Sequence, residues 1–224
     1  MEVGEQRIRI KEHGPYEVSG GPPLGRTAQI ETEFGEPVDW APMSSIDAPT
    51  PTFALCRCGL SSRKPFCDEV CSTAGFDGTE VADRAPRSTR AETYIGDEVV
   101  MTDDHTFCEH AGYCGDRFTN VWRMIRQTSD PEIRERLQRM VSLCPSGALD
   151  HAPSEGADPV ELAFEPSIGV VRDGPLWVRG GIPIESSDGT TYEVRNRVTL
   201  CRCGHSGNKP FCDGTHKEVE FRDG

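Results

Sequence analysis

The sequence predicts an α+β protein made of two small β-rich modules with a mixed α+β segment between them. Three observations predict this. Residues 55–71 (LCRCGLSSRKPFCDEVC) align with residues 200–216 (LCRCGHSGNKPFCDGTH) at a constant offset of 145, and GPYEVSGGPPL (14–24) mirrors GPLWVRGGIPI (174–184), so one unit occurs twice. Between the copies lies a well-marked helix. Ser129 and Glu132 stand at capping-box spacing, Pro131 is in the first turn, and Ile133, Leu137, Met140 and Val141 recur as one apolar stripe. Finally, 23 Gly and 17 Pro in 224 residues describe a loop-rich chain of small cores. Repeats of this size bury their apolar faces against each other.

In chain order, the first module spans 1–82. Its strand-like piece at 14–24 precedes a Pro/Ser-rich connection, 25–54, expected to be irregular covering structure. A linker (ADRAPRSTRAE) and a strand-like run, TYIGDEVVM, open the middle segment, 83–152. Two helices follow, one near Thr119–Gln127 with Val121, Trp122 and Ile125 on one face, then the capped one above. The polar stretch DHAPSEGADP after Leu149 reads as a second linker. The second module, 153–224, carries the strand candidates ELAF, IGVVR, LWVRG and TYEVRNRVTL, and Val219 and Phe221 are expected to complete its core.

Composition narrows the function classes. The N-terminal MEVGEQRIRIKEHG is charged and has no apolar signal-peptide core, and no apolar run approaches the length of a bilayer span. A cytoplasmic location is therefore expected, where clustered cysteines serve metals more often than disulfides. A net charge of −13 argues against nucleic acid as a partner.

The densest chemistry lies in Cys201–His216, where three cysteines and a histidine follow the spacing C-x-C-x8-C-x3-H. Cysteines one residue apart need a tight loop, which Gly204 and Gly207 permit. Pro210 stiffens the approach to Cys212, and Asp213-Gly214 read as the opening of a helix. With Ser206, Pro210, Asp213, Gly214 and Thr215 in place, the stretch resembles the CDGSH iron–sulfur family. The resemblance implies a 2Fe-2S cluster on Cys201, Cys203, Cys212 and His216, with backbone N–H groups of the helix start facing inorganic sulfur. It also implies that the two modules form an intrachain pseudo-dimer, so that the chain is a monomer. A Cys3His zinc site is the alternative, although zinc motifs space their cysteines two to four residues apart.

The first copy departs from that pattern at its end. Glu69 replaces the glycine, Val70 the Ser/Thr, and Cys71 the ligand histidine. Cys71 follows Cys67 by four residues, as His216 follows Cys212, so the resemblance implies a second 2Fe-2S cluster on Cys56, Cys58, Cys67 and Cys71. Zinc or an empty site are the alternatives, because Glu69 puts a β-carbon where glycine stood. Four thiolates should lower the reduction potential relative to a site with an imidazole ligand.

In the middle segment, Cys108 and Cys114 stand in CEHAGYC (108–114), followed by NVW at 120–122 and CPSGAL from Cys144, the pattern CxHAGxC…NVW…CPSGAL. These residues resemble a divergent mono-cluster ferredoxin domain, which implies a ferredoxin-like α+β insert. Ala111 stands where a full ferredoxin has a cysteine. That leaves Cys108, Cys114 and Cys144 and favours a 3Fe-4S cluster, with a 4Fe-4S cluster using His110 or another ligand as the alternative. The three sets use all ten cysteines.

Other residues carry weaker signals. Ser61 and Ser206 match each other and are expected to donate within the loops or to sulfur. Arg57, Lys64, Arg202 and Lys209 either screen cluster charge, guide a partner or are simply solvated, while His13, His105, His151 and His205 read as surface residues. No phosphate loop, dinucleotide fingerprint or catalytic set stands out. The expectation is a non-enzymatic electron carrier that meets redox partner proteins. Cluster transfer or redox/pH sensing is the second reading, and a structural zinc protein the third.

Overall fold

The computed structural model describes residues 5–223. The first four residues of the charged N-terminal stretch, and Gly224 at the end of the second module, lie outside the described residues.

Strands β1 (Arg7–Ile10) and β2 (Tyr16–Ser19) form an antiparallel hairpin whose alternation buries Ile8, Ile10, Tyr16 and Val18. The connection 25–54 is not irregular. It holds β3 (Leu24–Thr27), the hairpin β4 (Gln29–Glu31) with β5 (Pro37–Trp40), β6 (Ser44–Ser45), and the start of β7 (Phe53–Leu55). These strands are too short and too exposed on one face to show alternation in sequence. They are held by partners elsewhere: Gln29 Nε2 donates to Ala111 O (2.7 Å), Tyr113 Oη to Asp39 O (2.8 Å) and Trp40 Nε1 to Leu143 O (3.1 Å). The hairpin β4–β5 thus docks on the middle segment.

The run TYIGDEVVM is a hairpin, not one strand. Strand β8 (Glu92–Ile95) turns through Gly96, whose N–H bonds Val99 O at 2.9 Å, into β9 (Val100–Asp103). Helix α1 is shorter than expected, Val121–Met124, capped by Asn120 Oδ1 and ending in a 3-10 turn at Ile125–Gln127. The Ser129 capping box does not form. Asp130 caps α2 (Pro131–Ser142) instead, its carboxylate accepting from Glu132 N at 2.9 Å. The stripe of α2 is buried where expected: Leu137 and Val141 are fully inside, contributing roughly 2 kcal/mol each. The supposed second linker begins as strand β10 (Leu149–Ala152), paired with β9, which buries His151 opposite Met101.

In the second module, ELAF (161–164) is coil: among the described residues no strand pairs with it, and Phe164 is half-buried against the Trp177 ring. The strands present are β11 (Ser167–Val171), β12 (Leu176–Arg179), β13 (Ile184–Glu185) and β14 (Arg197–Leu200). Only the last four residues of TYEVRNRVTL are strand. The one-turn helix α3 (Thr215–Glu218) follows Gly214. Phe221 is buried, but Val219 is exposed and lies outside the core.

The sheets exchange strands reciprocally. One has the order β13-β1-β2-β7 and the other β14-β12-β11-β3-β6. Strand β13 of the second half pairs parallel with β1 (Ile8 with Ile184), and β3 of the first half pairs parallel with β11 (Ile168 with Leu24). Each residue of one contact is 160 positions from its counterpart in the other. A single core joins both sheets, with Ile8, Val18 and Leu55 on one side and Ile168, Val178 and Leu200 on the other. A second core under α1 and α2 has Cys114 and Cys144 packed at its edge. Among the described residues no helix is long and apolar enough to cross a membrane.

Candidate metal centres

Two cysteine loops share one geometry. In the first, Cys56 N bonds Pro65 O (2.8 Å), Cys67 N bonds Ala54 O (2.9 Å) and Ser61 Oγ donates to Phe66 O (2.7 Å). In the second, Cys201 N bonds Pro210 O (2.8 Å), Cys212 N bonds Thr199 O (2.9 Å) and Ser206 Oγ donates to Phe211 O (2.7 Å). The serines therefore brace the loops and do not reach sulfur. Backbone N–H groups do: Leu60 N and His205 N each lie 3.5 Å from the Sγ of Cys58 and Cys203, and Glu69 N lies 3.3 Å from Cys67 Sγ.

The donors come in pairs. Cys56 and Cys58 Sγ are 3.7 Å apart, as are Cys201 and Cys203 Sγ. A tetrahedral metal with bonds of about 2.3 Å to sulfur separates two thiolates by a similar distance. Cys212 Sγ and His216 Nδ1 form the second pair of the later loop at 3.3 Å, and Cys67 and Cys71 lie side by side in the earlier one. Among the described residues no three His, Cys, Asp or Glu side chains converge as one ion would require. Two pairs per loop fit a two-metal unit, and the residues present suit a 2Fe-2S group.

Glu69 keeps the turn that its side chain put in question. It adopts the left-handed backbone (φ 66°) that Gly214 adopts in the other loop (φ 89°), and it points into solvent.

Charge is arranged against water. Cys56 is drawn down to about 6 by the hydrogen bond from Cys58, which outweighs burial, and Cys201 likewise to about 6 by Cys203. Burial pushes Cys67 up to about 11 and Cys212 well above its ordinary value. Metal must therefore displace protons from the buried thiols. Burial, with Lys217 and Arg202 nearby, holds His216 at about 4, so its imidazole is neutral and able to ligate at neutral pH.

Arg57 and Arg202 are not solvated and cannot meet a partner, for both are about 1 % exposed. Arg202 donates to Gly174 O (2.9 Å), Val171 O (2.7 Å) and Asp223 Oδ2 (2.8 Å), and Arg57 to Lys11 O (3.1 Å) and Gly78 O. Each tethers its C-x-C loop to the strands behind it. Lys209 Nζ bonds Ser206 O (2.9 Å) and Lys64 Nζ sits 5.9 Å from the Phe221 ring, while His205 is exposed. His13 and His105 are exposed too, but His151 is buried in β10.

In the middle segment, Cys108, Cys114 and Cys144 line one cavity of about 250 Å³ together with His110. His110 Nδ1 stands 3.9 Å from Cys108 Sγ, on a backbone with φ 58°. Cys144 follows the end of α2, and its carbonyl accepts from Arg197 Nε of β14 at 2.7 Å. Burial pushes Cys114 up to about 11 and raises Cys108. A thiol-lined cavity of this kind suits a compact multi-iron group.

Residues 13–70 and 173–217 match the family described as the iron-binding zinc finger of CDGSH type, and residues 94–153 match the divergent 4Fe-4S mono-cluster family. Two CDGSH regions flank a mono-cluster region. No curated protein matches the chain. Both families bind iron–sulfur groups, so the chain is an iron–sulfur protein.

Sequence reasoning missed several residues of these sites. Tyr16 Oη lies 2.8 Å from Cys201 O and 3.0 Å from Pro210 O, so a strand of the first CDGSH region pins the loop of the second. Leu176 stands at the equivalent position, so the repeat hides this role. Glu109 is fully buried beside Cys212 and Thr199, and burial pushes its carboxyl up to about 8 against the pull of Lys217. Its place directly after Cys108, inside the CEHAGYC motif, is the signal the sequence offers.

Proposed function

We propose that the chain is an electron carrier with three iron–sulfur centres. A 2Fe-2S cluster sits on Cys56, Cys58, Cys67 and Cys71, another on Cys201, Cys203, Cys212 and His216, and a 3Fe-4S cluster on Cys108, Cys114 and Cys144. The observation that carries this reading is the grouping of donors: a close thiol pair in each CDGSH loop, the Cys212–His216 pair in the later one, and three thiols around one cavity. Bound clusters of these types accept and return single electrons. The chain's own part is to keep the thiols dry, aim N–H groups at Cys58, Cys67 and Cys203, and hold His216 neutral. A thiolate at Cys71 in place of imidazole sets the first centre at the lower potential. His110 lines the middle cavity, and a 4Fe-4S cluster with His110 as a ligand is the alternative there.

The reciprocal exchange of β3 and β13 supports reading 1–82 and 153–224 as an intrachain pseudo-dimer in a monomeric protein, with 83–152 as a ferredoxin-like insert. The chain acts in the cytoplasm on redox partner proteins and transforms no substrate itself. Cluster transfer or sensing is the second reading. It is favoured by one observation, the position of His216 at the wall of a cavity of about 330 Å³.

Anaerobic purification with iron, sulfide and zinc counts, followed by EPR of the isolated and reduced protein, tests the assignment. An oxidised 3Fe-4S signal and two distinct reduced 2Fe-2S signals are expected. A colourless protein rich in zinc and free of sulfide overturns it, and release of the His216-ligated cluster to an apo-ferredoxin would favour the second reading.

A further inference from the structure

We propose that Glu109 bridges the middle and C-terminal centres, so that the Cys201–His216 site stands between the other two in a linear array. This deepens the electron-carrier reading and rests on it.

Two seams define the order. At the first, the C-x-C loops meet back to back. A Cβ on Gly59 would lie 2.6 Å from Cys203 O, and one on Gly204 would lie 2.5 Å from Cys58 O. At the second, the segment after Cys108 packs on the start of α3. A Cβ on Gly214 would lie 2.9 Å from Glu109 O and 3.0 Å from His110 Cδ2. Lys217 Nζ donates to His110 O (2.6 Å), Asn208 Nδ2 to Thr106 O (2.7 Å), and the Phe107 and Phe211 rings stand 4.6 Å apart. All of these partners belong to the C-terminal loop.

Glu109 is the residue shared by both centres. Its backbone follows Cys108 directly, and its side chain reaches Cys212, where Oε2 is buried and makes no hydrogen bond. The path from one ligand cysteine to the other is one peptide bond and one side-chain contact. Among the described residues no hydrogen bond joins the first CDGSH loop to the segment after Cys108, and there the position of Gly214 is filled by Glu69, whose side chain is exposed. Glycine stands at the position where the insert docks, and glutamate at its equivalent in the first loop.

In the proposed step one electron is lost at the centre on Cys108, Cys114 and Cys144 and one is gained at the centre on Cys201, Cys203, Cys212 and His216, or the reverse. No bond is made or broken and no proton moves. EPR relaxation of the full-length holoprotein tests the order. The reduced His216-ligated signal should relax several-fold faster when the middle centre is paramagnetic than in a C108S/C144S variant, with the four-thiolate signal unchanged. Enhancement confined to the four-thiolate signal, or none at all, overturns the proposal. Glu109→Ala should slow exchange between the two centres several-fold after flash reduction, and Glu109→Gln should restore it. Wild-type exchange in Glu109→Ala also overturns it. The carrier reading fails by a different result, in which the centres couple as described yet the reduced protein passes no electrons to an oxidised ferredoxin.

Discussion

Gly59 and Gly204 interlock at the seam between the two CDGSH loops, each with positive φ (80° and 85°) and each closed over by the other loop's cysteine backbone. The contact leaves no room for a methyl group on either side. It is the structural reason that the pair of loops reads as one unit.

Alanine at either position should cost about 2–4 kcal/mol, from left-handed strain plus overpacking. Gly189 has a similar φ of 86° but no neighbour within 4 Å, so Gly189→Ala should cost only about 1–2 kcal/mol. Urea unfolding of the three holoprotein variants distinguishes the terms. Equal losses would show that the seam contributes nothing.

Glu69 and Gly214 invite the reciprocal exchange. Glu69→Gly should stabilise by about 1 kcal/mol, since it relieves a left-handed residue without losing a contact. Gly214→Glu should cost about 3 kcal/mol or more and detach the Cys108–His110 segment. Thermal melts, with near-UV dichroism to follow the insert, give the comparison.

Glu109 makes stability fall as pH rises. Its folded pKa of about 8 lies above the ordinary carboxylate value, so the folded state holds a proton that the unfolded state has lost. The contribution is complete at low pH and declines by about 1.4 kcal/mol per pH unit up to about pH 8. In Glu109→Gln that slope should be missing, as denaturant midpoints across the range would record.

His216 sets the opposite dependence for its own site. Held at about 4 chiefly by burial, the imidazole stays neutral until the medium turns clearly acidic, and protonation then competes with iron. His216→Cys should keep its C-terminal visible absorbance at a pH where the wild type bleaches. Equal bleaching rates would remove histidine from the explanation.

Asp223 neutralises Arg202 in a fully buried ion pair at 2.8 Å. Removing the carboxylate strands the guanidinium, so Asp223→Ala should cost about 3–5 kcal/mol. The loss should appear in unfolding free energy and as earlier release of the C-terminal cluster.

The cysteine loops are legible in the sequence because everything that shapes them lies within sixteen residues: two cysteines around one residue, a serine that braces Phe211, a glycine at a left-handed turn. Helix α2 was legible for the same reason, since its stripe and N-terminal proline are local, and only its cap shifted from Ser129 to Asp130. The strands of 25–54 left no such mark, because two- to four-residue strands take their identity from the chain they pair with. Nor did the sequence disclose the exchange of β3 for β13, the hydroxyl of Tyr16 against Cys201, the burial of Arg57 and Arg202, or Glu109 beside Cys212. Those contacts join residues tens to nearly two hundred positions apart, and separations of that size leave no periodicity for a linear reading to detect.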